Sequence, residues 1–153
     1  MKKFKTILAS ALLLGATTAF AQSYKTSGGL LIDFGKGGTA FGPHVKHFFN
    51  KNFAVQPEVA FGEGVTSAGI GLLANGGVPD AKGLGWFLGV APQMWFGDGF
   101  STFVLRPMAG LEMTIPSTPL NIGFDWRPAL NFEGDTTFTA GRFAFTLRYV
   151  FSK

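Results

Sequence analysis

From Leu120 to Pro128, and again from Phe143 to Phe151, apolar and polar side chains alternate with a period of two, and the polar phase contains Asp125, Arg127, Arg142 and Arg148. That period belongs to a β-strand, whose successive side chains point to opposite faces. A water-soluble sandwich would bury the Phe, Trp and Leu face and leave the charges wet. So many aromatic side chains on one face would otherwise form an aggregation surface in water. The pattern suits the inverse arrangement, with apolar side chains toward lipid and charges inside a closed barrel.

The first residues point the same way. Lys2, Lys3 and Lys5 form a basic start, Ile7 to Ala16 an apolar stretch, and Ala19-Phe20-Ala21 a small-x-small cleavage pattern. The apolar stretch is short for a helix that crosses a bilayer. Cleavage after Ala21 is expected, leaving a signal peptide at 1–21 and one outer-membrane β-barrel domain at 22–153. Removing the three leader lysines reduces the formal net charge from +4 to +1. No basic stripe remains to attract nucleic acid. With no cysteine in the chain, disulfides play no part in stabilising an exported fold.

Glycine occurs 22 times and phenylalanine 18 times in 153 residues, a balance that disfavours long helices and suits turns, bulges and crowded interiors. Eight strands are expected, roughly Gly28 to Gly35, Ala40 to Phe49, Phe53 to Phe61, Ser67 to Asn75, Gly83 to Phe96, Ser101 to Ile115, Leu120 to Asn131 and Thr137 to Phe151. Short turn-rich intervals separate them, including Lys36-Gly37-Gly38, Asn50-Lys51-Asn52 and Gly97-Asp98-Gly99. Short connections and an even count predict an all-β, eight-stranded, antiparallel up-and-down transmembrane barrel. Pro43, Pro57, Pro92, Pro107 and Pro128 lie in or near these strands and count against a regular ladder.

Alternation assigns the two faces. Phe103, Leu105, Leu120, Ile122, Phe124, Trp126, Phe143, Phe145, Leu147, Tyr149 and Phe151 are expected to face lipid, together with matching positions of the earlier strands. The opposite phase contains Asp33, Lys46, Glu58, Arg106, Glu112, Asp125, Arg127, Arg142 and Arg148, along with His44, Gln56, Gln93, Asn121 and Thr146. Five cations and four anions in a narrow interior require pairing. A salt-bridged, mostly closed lumen is expected, since eight strands leave room for side chains or one small ligand.

Several stretches carry a resemblance: Phe-Phe-Asn-Lys-Asn-Phe-Ala at Phe48 to Ala54, Gly-Leu-Gly-Trp-Phe-Leu-Gly-Val at Gly83 to Val90, Pro-Leu-Asn-Ile-Gly-Phe-Asp-Trp-Arg-Pro at Pro119 to Pro128, and Phe-Thr-Leu-Arg-Tyr-Val-Phe at Phe145 to Phe151. With the leader, they resemble the small outer-membrane β-barrel proteins of Gram-negative bacteria, especially the short porin-family barrels of the Bacteroidetes lineage. The resemblance implies an outer-membrane location, with the lipid bilayer and the outer-membrane assembly machinery as partners. Barrels of this kind often end on an aromatic residue, whereas here Ser152 and Lys153 follow Phe151.

Catalytic readings find little support in the sequence. His44 and His47 fall on opposite strand faces and make a poor metal pair. A hydrolase like the outer-membrane lipid-modifying enzymes would need His44, Ser67 and an interior carboxylate together, and nothing in the sequence joins them; a lone interior histidine is more often a hydrogen-bonded packing residue. Gly35-Lys36-Gly37-Gly38-Thr39 lacks the order of a phosphate loop and reads as a hairpin turn. Gly69 and Gly71 share one phase and are expected to make room for arginines crossing the lumen. No catalytic residue, metal or cofactor is expected. The expectation is a non-enzymatic monomer with an envelope-integrity or surface-interaction role. Two alternatives are a narrow porin-like channel for small solutes and a soluble exported β-barrel binding an apolar ligand.

Overall fold

The computed structural model describes residues 24–152, so the expected signal peptide lies outside the described residues. The strands are β1 (Thr26–Gly35), β2 (Ala40–Phe48), β3 (Phe53–Gly62), β4 (Val65–Gly77), β5 (Leu84–Gly97), β6 (Phe100–Thr114), β7 (Leu120–Trp126), β8 (Ala129–Asn131), β9 (Thr137–Thr139) and β10 (Arg142–Ser152). Each of β1 to β6 pairs antiparallel with the next, β6 with β7, β7 with β10, and β10 with β1. The sheet therefore closes into an eight-stranded antiparallel barrel. β8 carries the β7 course onward along β6 and pairs with β9, which leads into β10. The stretches read from sequence as the last two strands are thus each interrupted, at Arg127-Pro128 and at Ala140-Gly141. Pro128 has no backbone donor to continue a ladder, while the Arg127 amide donates to the Arg142 carbonyl at 3.0 Å and holds the gap closed.

The pairing also fixes the stagger. Asn121, Arg148, Gly29, His44, Glu58, Gly69, Gln93 and Val104 are successive partners round the ring, and Asn121 pairs on its other side with Thr114. One circuit therefore leaves β6 at residue 104 and returns at 114, a shear of ten residues. For eight strands this corresponds to a tilt of about 40°. A ten-residue strand at that tilt rises about 25 Å, the height of the apolar band on outer-membrane-type barrels.

The prolines interrupt ladders locally without opening the ring. Pro43 and Pro57 lie where β2–β3 pairing skips between Phe41↔Phe61, His44↔Glu58 and His47↔Val55. Pro92 lies in the gap of β4–β5 pairing between Gly69↔Gln93 and Leu72↔Val90. On their other sides these residues stay in register: Pro43 with Leu30, Pro57 with Ile70, Pro92 with Leu105. A proline removes one donor toward one neighbour and leaves the other edge paired.

The hairpins follow their turn residues. Gly64 (φ 76°) and Gly99 (φ 73°) occupy left-handed positions in the two-residue turns at 63–64 and 98–99, where a side chain would be strained. At 49–52 the Asn50 carboxamide accepts from the amides of Asn52 and Phe53, each at 2.9 Å. These turns sort the exposed charges by end. The end bearing the chain termini has Lys25, Lys51 and Lys82 against Asp80, whereas the opposite end has Lys36 against Glu63, Asp98, Glu133 and Asp135.

Candidate functional site: the charged lumen and its vestibule

Every Lys, Arg, Asp or Glu within the described strands faces inward. Asp33, Lys46, Glu58, Arg106, Glu112, Asp125, Arg142 and Arg148 are all buried, as is Arg127 at the break after β7. All other described charges lie in the turns or beside the chain ends. The outer faces of the strands are apolar instead: Phe103, Leu120, Phe124, Trp126, Phe145, Leu147, Tyr149 and Phe151 are exposed, Phe151 by 65 %, and Leu105, Ile122 and Phe143 are partly so. Outward aromatics gather toward strand ends, as at Phe41, Phe53, Phe61, Phe96, Phe100, Trp126 and Phe151. Leu30, Ile32, Val45, Ile70, Leu72, Leu88 and Leu147 occupy the middles.

The buried charges form one connected chain along the barrel axis. Near the 36–39 turn, Arg106 and Arg142 both bind Asp33, with Arg142 Nη2 at 2.6 Å from Asp33 Oδ1. Arg142 Nη1 also donates to the carbonyls of Lys36 and Gly38, at 2.8 and 3.1 Å. The glycine-rich turn thus presents carbonyls to a cation, the reverse of a phosphate-binding loop. Arg106 Nη2 donates to the Arg127 carbonyl at 2.7 Å, which leads to the middle layer. There Arg127 forks onto Asp125 (Nε to Oδ2 2.6 Å, Nη2 to Oδ1 2.9 Å) and reaches Glu58 at 3.0 Å. Glu58 also accepts from Gln56 at 2.9 Å and Gln93 at 2.6 Å. Bidentate guanidinium–carboxylate geometry of this kind is among the stronger charge-assisted arrangements.

Toward the terminus-bearing end Glu112 collects three donors on Oε2: Lys46 at 2.9 Å, Arg148 at 2.6 Å and the Tyr24 hydroxyl at 3.0 Å. Arg148 also bonds Asn121 at 2.9 Å and Gln56 at 3.4 Å, joining this layer to the middle one. Lys46 lies 5.1 and 4.7 Å from the ring centres of Phe48 and Phe87, so aromatic faces supplement its single carboxylate.

The interior is less uniformly polar than the alternation implied. Tyr24, Phe48, Ala54 and Val150 pack together at the terminus-bearing end, and Leu73, Phe87, Ala91 and Met108 form a second apolar cluster. Tyr24 stacks edge-on to Phe48 at 5.2 Å. Burial, with the Glu112 charge beside it, raises the phenol well above the usual range, so Tyr24 is a neutral donor. Sequence reading missed Tyr24 because a period-of-two count along β1 puts residue 24 on the outward phase. The chain bends at Lys25, beside a register irregularity between Thr26 and Ser27, and the alternation fails there.

Two smaller readings require correction. Gly69 and Gly71 make room for Gln93 and Gln56 rather than for arginines, while at Gly123 an added Cβ would lie 3.1 Å from Arg148 Nη2. His44 is buried, yet both ring nitrogens lack a hydrogen-bond partner, so it is neither the hydrogen-bonded packing residue expected nor a base joined to Ser67. His47 faces the other way, with Nδ1 at 2.8 Å from Thr26 Oγ1. Among the described residues no group of three His, Cys, Asp or Glu side chains is placed to hold a metal.

Above Glu112, at the terminus-bearing end, a vestibule of about 610 Å³ remains. Tyr24, Phe48, Asn75 and Thr114 line it together with the 78–83 connection and Lys51.

No protein-family model and no curated protein sequence matches the chain. A solved structure from the de novo design of transmembrane β-barrels is similar over 85 % of this chain and 98 % of its own, with a TM-score of 0.61 and 8 % identity. At that identity the likeness shows the fold alone, the closed eight-stranded antiparallel barrel.

Proposed function

We propose that the mature chain is a non-enzymatic, membrane-spanning barrel of a Gram-negative outer membrane, exported through a signal peptide at 1–21 and working as a monomer in envelope integrity or surface interaction. The observation that carries this reading is its sidedness: no strand bears a charge on its outer face, and the interior holds every strand charge. A bilayer is the solvent in which that inversion is stable. The tilt and strand height derived above fit the same band. The leader and the resemblance to porin-family barrels of the Bacteroidetes lineage supply the outer-membrane address, with the bilayer and the assembly machinery as partners.

A closed lumen favours a structural role over conduction. Three layers of ion pairs and two apolar clusters fill the interior, and charges paired this closely offer a passing ion no free ligands. A soluble barrel for an apolar ligand would need the opposite sidedness. Fractionation tests the reading. The protein should partition with the outer membrane, need detergent for extraction, and migrate differently on gels before and after heating. Recovery as a monodisperse periplasmic protein without detergent would overturn it.

A further inference from the structure

The vestibule has a composition of its own. Its volume lies in the range of small-molecule sites, and the mouth of a barrel is one of the places where such sites form. Phe48, Val78, Pro79 and Leu84 give it an apolar wall, and Lys51, Lys82 and Asp80 stand on the connections around it. Glu112 forms part of the lining, but its carboxylate already accepts from Lys46, Arg148 and Tyr24. Counting those two partners, four cations surround the space against two anions. An organic cation would meet an excess of like charge, and an uncharged apolar molecule would leave the lysines unused.

We infer that the vestibule binds an amphiphilic organic anion, its carboxylate or phosphate head beside Lys51 and Lys82 and its apolar body against Phe48, Val78, Pro79 and Leu84. Such an anion has two sources: a free amphiphile, or the headgroup region of an anionic lipid at the rim. The site goes beyond the proposed membrane role, and its test depends on that role only through a folded barrel.

The experiment uses the full mature protein folded into discs of zwitterionic phospholipid, with heat-dependent gel mobility verifying the fold of each variant. Binding of decanoate, decyl phosphate and decanol is followed by native mass spectrometry. One-to-one, saturable binding of both anions is expected, with decanol at least tenfold weaker. Lys51→Glu with Lys82→Glu, both in connections outside the strands, should weaken decanoate at least tenfold. Lys36→Glu, the same charge change at the opposite end, should leave it unaltered. Equal binding of decanol, no saturable binding, or an equal loss in Lys36→Glu would each overturn the inference. Repeating the titration in discs containing an anionic phospholipid identifies the source: competition points to the lipid headgroup, and unchanged decanoate binding to a free amphiphile, either result upholding the anion site. Failure of the gel shift in the parent would count against the membrane reading instead.

Discussion

Arg127 and Glu58 meet across the full width of the barrel. Their side chains approach to 3.0 Å, yet β3 and the β7 course stand four strands apart in a ring of eight, and so on opposite walls. Lys46 and Glu112 bridge β2 and β6 in the same way. These two cross-lumen pairs make opposite walls depend on each other, which neighbouring-strand hydrogen bonds alone do not do.

Arg127 should therefore be the most sensitive interior position. Its truncation to Ala leaves both Asp125 and Glu58 without their main cation, an expected loss of about 3–5 kcal/mol. Glu58→Gln keeps Arg127 on Asp125 and should lose about 1–3 kcal/mol. Urea titrations of folding into lipid vesicles give the comparison, and equal stability of Arg127→Ala and the parent would refute the strut. Replacing Asp125, Arg127 and Glu58 together with Asn, Met and Gln should recover much of the loss, because no unpaired charge then remains.

The filled lumen makes an electrical prediction. Planar-bilayer recordings of the parent should show no stable open level. An Arg127→Ala, Arg148→Ala variant that still shifts on gels should admit small ions, since the middle layer and the layer above it both lose their bridging side chains. Large steady conductance in the parent would disprove the closed interior.

The outer face should respond to charge by depth. Leu147 lies near the middle of β10 and pairs with Leu30 at the middle of β1, so Leu147→Arg should weaken membrane folding by about 2–4 kcal/mol. At Phe151, next to the strand end, the same change should stay within about 0–1 kcal/mol. Equal penalties at the two positions would contradict the spanning orientation.

Gly123 tests the packing beneath the charges. A methyl group there would lie 2.5 Å from Thr146 Oγ1 and 3.1 Å from Arg148 Nη2, so Gly123→Ala should destabilise by about 1–3 kcal/mol through overpacking. Adding Thr146→Ala removes the nearer atom and should restore part of the loss. If the second substitution deepened the defect, the steric account would fail.

Strand order and face were legible because both rest on a period of two that the chain maintains through most of its length. Asp33, Lys46, Glu58 and Arg106 could be assigned to one side from spacing alone, but their partners could not, since pairing across a ring depends on its shear. Tyr24 lay beyond reach because the backbone bends at Lys25 and breaks the count. Phe48 and Phe87 share the phase of Lys46 and Gln93, and a reading that equated the inner phase with polarity passed over them. The vestibule arises from the path of the 78–83 connection, for which alternation gives no rule.

The placement of charge also bears on the chain before it folds. The longest charge-free run among the described residues is Gly64 to Pro79, 16 residues rich in glycine, shorter than the roughly 20 that a bilayer-crossing helix requires. Elsewhere, residues such as Arg142 and Arg148 would each oppose lateral release from a translocon by about 2.5–3.5 kcal/mol at the centre of a would-be helix. The side chains that knit the finished lumen thus also keep the nascent polypeptide from lodging in the first membrane it crosses.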